Sequence, residues 1–328
     1  MRRLSAARTS LAALAGLGLL LAGCSPQPEA STEAADRINV VASTNVYGDI
    51  AETIGGDKVS VSAIITKTSQ DPHSYEATAQ DRLAVSKADL VIENGGGYDD
   101  FLHTLAEDGS IDAANVLNAV ELSGMAHPEE EASGEATPSE SVAKDDHAQD
   151  HGELNEHVWY RLAAMGRLAD NLAAKLGELE PASAAAFDAN AAAFKAELEE
   201  LTGKLGGLKA GAAGAPVAVT EPVPVYLLED AGLENATPKD FTAAVEEGSD
   251  VPPAVLKAAT DLVASKSVRF LAYNGQTEGP QTEALKKAAE KAGVPVVDFS
   301  ETLPEGKTYV QWMTDNVNNV SKVLETNS

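Results

Sequence analysis

The stretch INVVASTNVYGDIAETIGGDKVSVSAII, residues 38–65, decides the fold. Its first six residues are apolar and β-branched, the pattern of a strand buried on both faces. NVYGDIAETIGG then places Val46, Ile50 and Ile54 one helical turn apart, with Gly55 as a stop. KVSVSAII alternates polar and apolar, as a second strand does. A strand, a helix and a strand within 28 residues form the unit from which parallel sheets are built.

The same alternation continues outward. AQDRLAVSKA is predicted as a helix, DLVIEN as a strand and YDDFLHTLAED as a helix, with a further short strand at 115–118. Residues 123–153 then hold three histidines and many acids, with almost no long apolar side chain. Such a segment cannot bury a core and is expected to be a mobile loop. From 161 to 209 the chain is rich in Ala, Leu and Glu at helical spacing, and Pro181 divides the run into two helices. APVAVT at 215–220 opens a second series: SVRFLAY, VPVVDF and two helices, the last being TYVQWMTDNVNNVSKVL. The predicted architecture is two α/β lobes with parallel-rich sheets joined by one long backbone helix. The boundaries are 38–180 for the first lobe, 181–210 for the bridging helix and 211–328 for the second lobe.

The 328 residues include a formal net charge of −27, which argues against nucleic-acid binding, because phosphate contacts need Lys and Arg. Arg2, Arg3 and Arg8 precede the apolar run Leu11–Leu21, too short to span a membrane comfortably, and LAGC follows with the sole cysteine, Cys24. This resembles a bacterial lipobox, so residues 1–23 read as a signal peptide and Cys24 as a lipidation site. Residues 24–37 read as a flexible polar tether. The expected mature protein is lipid-anchored on the outer face of the cell membrane. It has no cysteine left for disulfides or thiolate ligands.

Four positions carry candidate chemistry. His73, in TKTSQDPHSYEAT, lies in the connection after the second strand, where parallel α/β sheets place ligands. His157, in LNEHVWYRL, opens the helix expected near Tyr160. Glu221 follows the first strand of the second lobe. Asp298 ends a later strand, with Glu301 in the loop beyond it. Taken singly, each reads equally well as a structural residue: a polar turn, a helix start or a carboxylate at a helix N-terminus. Taken together they offer two imidazoles and two carboxylates, a donor set suited to a borderline divalent cation held between the lobes.

The succession of YGDIAETIGGDKVSV, DPHSYEAT, KADLVIENGGGYDDFL and EHVW, behind a lipobox and before a long helix, resembles the metal-binding receptors of ABC importers for zinc and manganese. The resemblance spans about 38–325. It implies a metal cleft between two lobes, with His73, His157 and Glu221 as ligands and Glu301 favoured over Asp298 as the fourth. It implies a monomer that delivers Zn²⁺ or Mn²⁺ to a permease with its ATPase subunit, by capture and release without bond chemistry. His127, His147 and His151 then read as an auxiliary zinc collector, which tilts the expected cargo toward zinc over manganese. Asn155–Glu156 replaces the usual Asp-Pro before His157, so Glu156 or another neighbour has to orient that imidazole. Affinity is expected to fall as pH drops through the histidine range.

Two other classes remain open. A zinc hydrolase needs an open coordination position and a general base, yet HExxH, GxSxG and GxxxxGK[ST] are all absent. A surface-anchored adhesin would share the lipid anchor.

Overall fold

A computed structural model describes residues 37–125 and 154–326. In the first lobe the order is β1 Ile38–Thr44, α1 Asn45–Gly55, β2 Val59–Ile65, α2 Ala79–Val85, β3 Leu90–Glu93, α3 Asp100–Asp108, β4 Val116–Asn118 and α4 Ala119–Leu122. Two packed helices follow, α5 Leu162–Leu179 and α6 Ala184–Ala212. The second half runs β5 Ala215–Val219, α7 Val225–Asp230, β6 Leu233–Asn235, α8 Lys239–Glu246, α9 Pro253–Ala264, β7 Leu271–Asn274, α10 Pro280–Ala292, β8 Val296–Phe299 and α11 Tyr309–Thr326.

Each lobe carries a four-stranded, wholly parallel sheet, ordered β2-β1-β3-β4 and β6-β5-β7-β8. The two orders match, and each reverses direction beside its first strand. That reversal opens a crevice at the carboxyl ends of the strands. Glu221 follows β5, Asn274 ends β7 and Glu301 follows β8. Glu221 and Asn274 therefore fall at the switch point of the second lobe, with Glu301 at the carboxyl end of the neighbouring strand.

Side-chain alternation assigns each strand face to a layer. Val40 and Ala42 enter the central core while Val41 packs outward against Leu102 and Leu105. Val217 and Val219 face the same central core, while Ala218, Leu271 and Tyr273 join Phe241 and Leu285 on the outer side. One continuous cluster thus contains the inner faces of both sheets together with α1, α5, α6 and α11. α6 supplies a stripe of Phe187, Ala191, Phe194, Leu198, Leu201 and Leu205 at three- and four-residue spacing. At 29 residues it is about 43 Å long.

Several elements differ from the sequence expectation. The chain after His157 forms a 3-10 turn at Val158–Tyr160, and α5 begins only at Leu162. β6, α8 and α9 are absent from the sequence reading: β6 and α8 are too short to show a period, whereas Val255, Leu256, Ala259, Leu262 and Val263 of α9 carry a helical spacing that the reading passed over. The bridging helix extends to Ala212. α11, grouped by sequence with the second lobe, packs on α6 and α1 as well as on β8. Its Tyr309 ring lies 5.8 Å from that of Phe194, and its hydroxyl donates to the Trp159 carbonyl at 2.6 Å. No helix among the described residues is long and apolar enough to cross a membrane.

Candidate metal site

His73 is presented by a turn that Asp71 organises. The Asp71 carboxylate accepts from His73 N at 3.0 Å and from Ser74 Oγ at 2.8 Å, while Pro72 fixes the backbone between them. A quarter of the His73 side chain stays exposed. His157, 1% exposed, lies on a segment held from both lobes. Asn94 Nδ2 donates to the Glu156 carbonyl at 3.0 Å, Tyr226 Oη to the Asn155 carbonyl at 2.7 Å, and Asn155 Nδ2 to the Pro222 carbonyl at 3.0 Å.

That last bond orients the Asn155 amide. Its nitrogen faces Pro222, so its oxygen faces His157 and accepts from the imidazole Nδ1 at 2.7 Å and from the His157 backbone N at 3.1 Å. An amide oxygen only accepts, so Nδ1 carries the proton and the Nε2 lone pair is free. Asn155, rather than Glu156, performs the orienting role that the sequence left to a neighbour of His157. Burial holds His157 down at about 4, with a further lowering from His73 set against Glu156, so the ring is neutral at physiological pH.

Tyr98 joins the two lobes at the site. Gly95, Gly96 and Gly97 precede it with φ of 78°, 68° and 88°, values that favour glycine, and a Cβ at Gly95 would meet Asn118 at 2.2 Å. The resulting tight loop, braced by Asp99 accepting from Asn94 N and Gly95 N, buries the Tyr98 ring 4.9 Å from His73 and 5.9 Å from His157. The Tyr98 hydroxyl donates to Glu301 Oε2 at 3.2 Å.

Across the cleft, Glu221 and Glu301 are 4% and 2% exposed. Asn274 Nδ2 donates to both, and Thr277 Oγ1 donates to Glu221. Gln276 Oε1 accepts from the backbone N of Glu301 and Thr302 and so fixes the loop after β8. Among the described residues, every group that hydrogen-bonds these two carboxylates is neutral. Burial pushes Glu221 up to about 7, opposed by Thr277 and Asn274 and reinforced by Asp71 and Glu156. Burial pushes Glu301 up to about 8, with Glu221 adding to it. Two buried carboxylates whose nearest charges are other carboxylates are an incomplete arrangement that a cation completes.

His73 and His157 stand with ring centroids 6.2 Å apart. The tightest group of donors around them is His73, Glu156, His157 and Glu246, each offering one ligand atom within 4.8 Å of the others. Glu221 and Glu301 are not in that group; they form the pair on Asn274, linked to the histidines through Tyr98. Asp298 is exposed on β8, beside Val297 and Lys322 in a separate groove. Cys24, His127, His147 and His151 lie outside the described residues.

The sequence reading gave no role to Tyr98, Asn274, Thr277 or Glu246. Asn274 carried a usable signal, since it ends a buried strand as Glu221 and Glu301 follow theirs. Glu246 carried none, because it closes a short helix in the unassigned stretch.

Comparison with known proteins agrees with this fold. The family model for the zinc-uptake complex component A, periplasmic, matches residues 40–323. The manganese ABC transporter substrate-binding lipoprotein ScaA of Streptococcus gordonii is 24% identical over 319 residues, covering 93% of this chain and 94% of that protein. The manganese-binding lipoprotein MntA of Halalkalibacterium halodurans is 28% identical over 186 residues, and the chain spans only 54% of its length. Among solved structures, ZnuA superimposes with a TM-score of 0.66 at 22% identity, covering 89% of this chain and all of that one. The periplasmic zinc-binding protein TroA of Treponema pallidum gives 0.68 at 18%, covering 88% and 99%. The family model describes a component of an uptake complex and ScaA is named as the substrate-binding part of a transporter, so the hydrolase alternative falls away. With its two parallel lobes and a family match across nearly all of the described residues, the chain belongs to the family of periplasmic component A proteins of zinc-uptake complexes.

Proposed function

We propose that the cleft captures one divalent transition-metal ion and holds it with His73, His157, Glu221 and Glu301. The observation that carries this reading is the pair Glu221 and Glu301, buried together with only neutral hydrogen-bond donors. Each lobe contributes two donors, so the ion ties the lobes. Delivery to a membrane permease driven by an ATPase subunit follows from the family, and the lipobox at Cys24 would keep the receptor tethered beside it at the outer face of the membrane.

Zinc is the proposed cargo, with manganese second. Two nitrogens and two oxygens accept either ion, and at equal availability the affinity order places Zn²⁺ above Mn²⁺. The shared core of the two lobes favours small adjustments on binding over a wide hinge motion.

The test is elemental analysis of the mature protein with competitive Zn/Mn titration of the wild type, His73→Ala and Glu221→His. One ion per chain is expected. His73→Ala should lose the thermal stabilisation that metal gives, and Glu221→His should shift selection further toward zinc. Unchanged stoichiometry and selectivity in the Glu221 variant would remove that residue from the site.

A further inference from the structure

The cleft holds two more carboxylates than the proposed ligand set uses. Glu156 Oε1 lies 3.7 Å from His73 Nε2, and Glu246 Oε1 lies 3.8 Å from His157 Nδ1. They approach from opposite lobes, Glu156 beside the 3-10 turn and Glu246 at the end of α8. Glu246 Oε1 is shielded from solvent and receives no hydrogen bond from any described residue. Glu156 crowds Glu246 from the opposite lobe, and a cation between the two carboxyl groups would satisfy both.

Position relative to solvent separates these carboxylates from Glu221 and Glu301. A cavity of about 900 Å³ opens between the lobes, and His73, Glu156 and Glu246 line it. His157, Glu221 and Glu301 do not. The lining carries seven carboxylates and, among the described residues, no lysine or arginine. A concave acidic wall of this kind concentrates cations at its base. His73 belongs to both levels: it faces the cavity, and it lies against Tyr98, which reaches Glu301.

We propose that Glu156, Glu246 and His73 form a loading position for a divalent cation at the mouth of the cleft, from which the ion passes inward to Glu221 and Glu301 while His73 remains bound. The inference rests on the metal-receptor reading above. Its chemical logic is stepwise ligand exchange. An ion that sheds water onto two outer carboxylates and one imidazole never has to cross to the buried pair without ligands. The two positions share His73, so they are occupied in turn and the stoichiometry stays at one.

Stopped-flow measurement of zinc binding tests this, read by the fluorescence of Trp159, whose ring lies 5.0 Å from that of His157. In Glu156→Gln/Glu246→Gln, association and dissociation should slow together by about tenfold or more, the signature of a lost transit position. Glu247→Gln/Asp250→Asn neutralises two carboxylates of the same lining without touching the histidines, and should slow association by no more than about threefold, an effect abolished by salt. Glu221→Gln/Glu301→Gln should keep a weaker one-ion site, which adding Glu156→Gln/Glu246→Gln removes. Equal association rates in the two double variants would overturn the loading position, as would residual binding in Glu221→Gln/Glu301→Gln that ignores Glu156 and Glu246. A wild-type chain that takes up no metal would instead sink the receptor reading itself.

Discussion

Glu221 and Glu301 share one donor: Asn274 Nδ2 reaches Glu221 Oε2 at 2.6 Å and Glu301 Oε1 at 2.7 Å. A single amide NH₂ has two hydrogens, so each carboxylate takes one, and the distance between the two acids is set by the width of that group. Asn274 is itself fixed, its backbone N donating to Thr220 Oγ1 at 2.9 Å and its Oδ1 accepting from Gln276 N at 3.0 Å. The pair is therefore spaced before any ion arrives.

Asn274→Leu keeps the branched shape and removes the bridge. Zinc affinity should drop by about 10–100-fold, the usual consequence of losing a group that orients metal ligands, with stoichiometry still one. Titration against a chromophoric chelator measures this. An affinity equal to the wild type would mean that the carboxylates hold their places without Asn274.

The metal-free protein should lose stability as pH rises through neutrality. Burial raises Glu221 and Glu301 from 4.5 to about 7 and about 8. The folded chain then keeps protons that the unfolded chain has released. This stabilising contribution is complete below the unfolded value and is lost as pH climbs through 7 and 8. His157 has the opposite sign: depressed from 6.5 to about 4, it contributes stability above 6.5 that is lost as pH falls toward 4. Glu246, which burial and Glu156 push up to about 9, acts in the same direction, so the interval from about pH 6.5 to 8.5 is governed by these three acids, and the metal-free Tm should fall across it while zinc affinity rises. Calorimetry with and without chelator reads both, and a metal-free Tm that rises over this interval would contradict the burial of the pair.

Asn45 bridges the lobes. Its Nδ2 donates to the Leu303 carbonyl at 2.8 Å and its Oδ1 accepts from Leu303 N at 2.9 Å, two residues beyond Glu301. Asn45→Ala strands both backbone groups and should cost about 1–3 kcal/mol. Denaturant unfolding gives the value, and a change below a few tenths of a kcal/mol would show that solvent replaces the bridge freely.

Gly203, Gly206, Gly207 and Gly211 sit inside α6 on helical backbone, and a Cβ added at any of them would meet nothing within 4 Å. Replacing each with Ala should stabilise the protein by about 0.5–1 kcal/mol, because glycine loses more freedom on entering a helix. Thermal unfolding of the four single variants measures the gain. A destabilising result would reveal a packing role for those positions.

Much of this was legible from residues alone. Buried parallel strands are continuous apolar runs, so β1, β5 and β8 stood out, and with them the positions of Glu221 and Glu301. The α5 and α6 pair was equally plain from its periodicity. What stayed hidden depends on closure between distant segments. The orienting partner of His157 is Asn155 because Pro222, in the other lobe, turns its amide. Glu246 meets His157 only once α8 has folded against the second sheet, and α8 is a single short helix with no period long enough to read. Asp298 and Glu301 lie three residues apart around the end of β8, and only the strand's alternation, which turns Asp298 outward, separates them.

The central claim is that one cation sits between the lobes on four side chains. Anomalous diffraction from zinc-loaded crystals of the mature protein tests it most directly. The account predicts a single strong peak about 2.0–2.2 Å from His73, His157, Glu221 and Glu301. A saturated protein whose peak lies beyond bonding distance of Glu221 and Glu301 would contradict it.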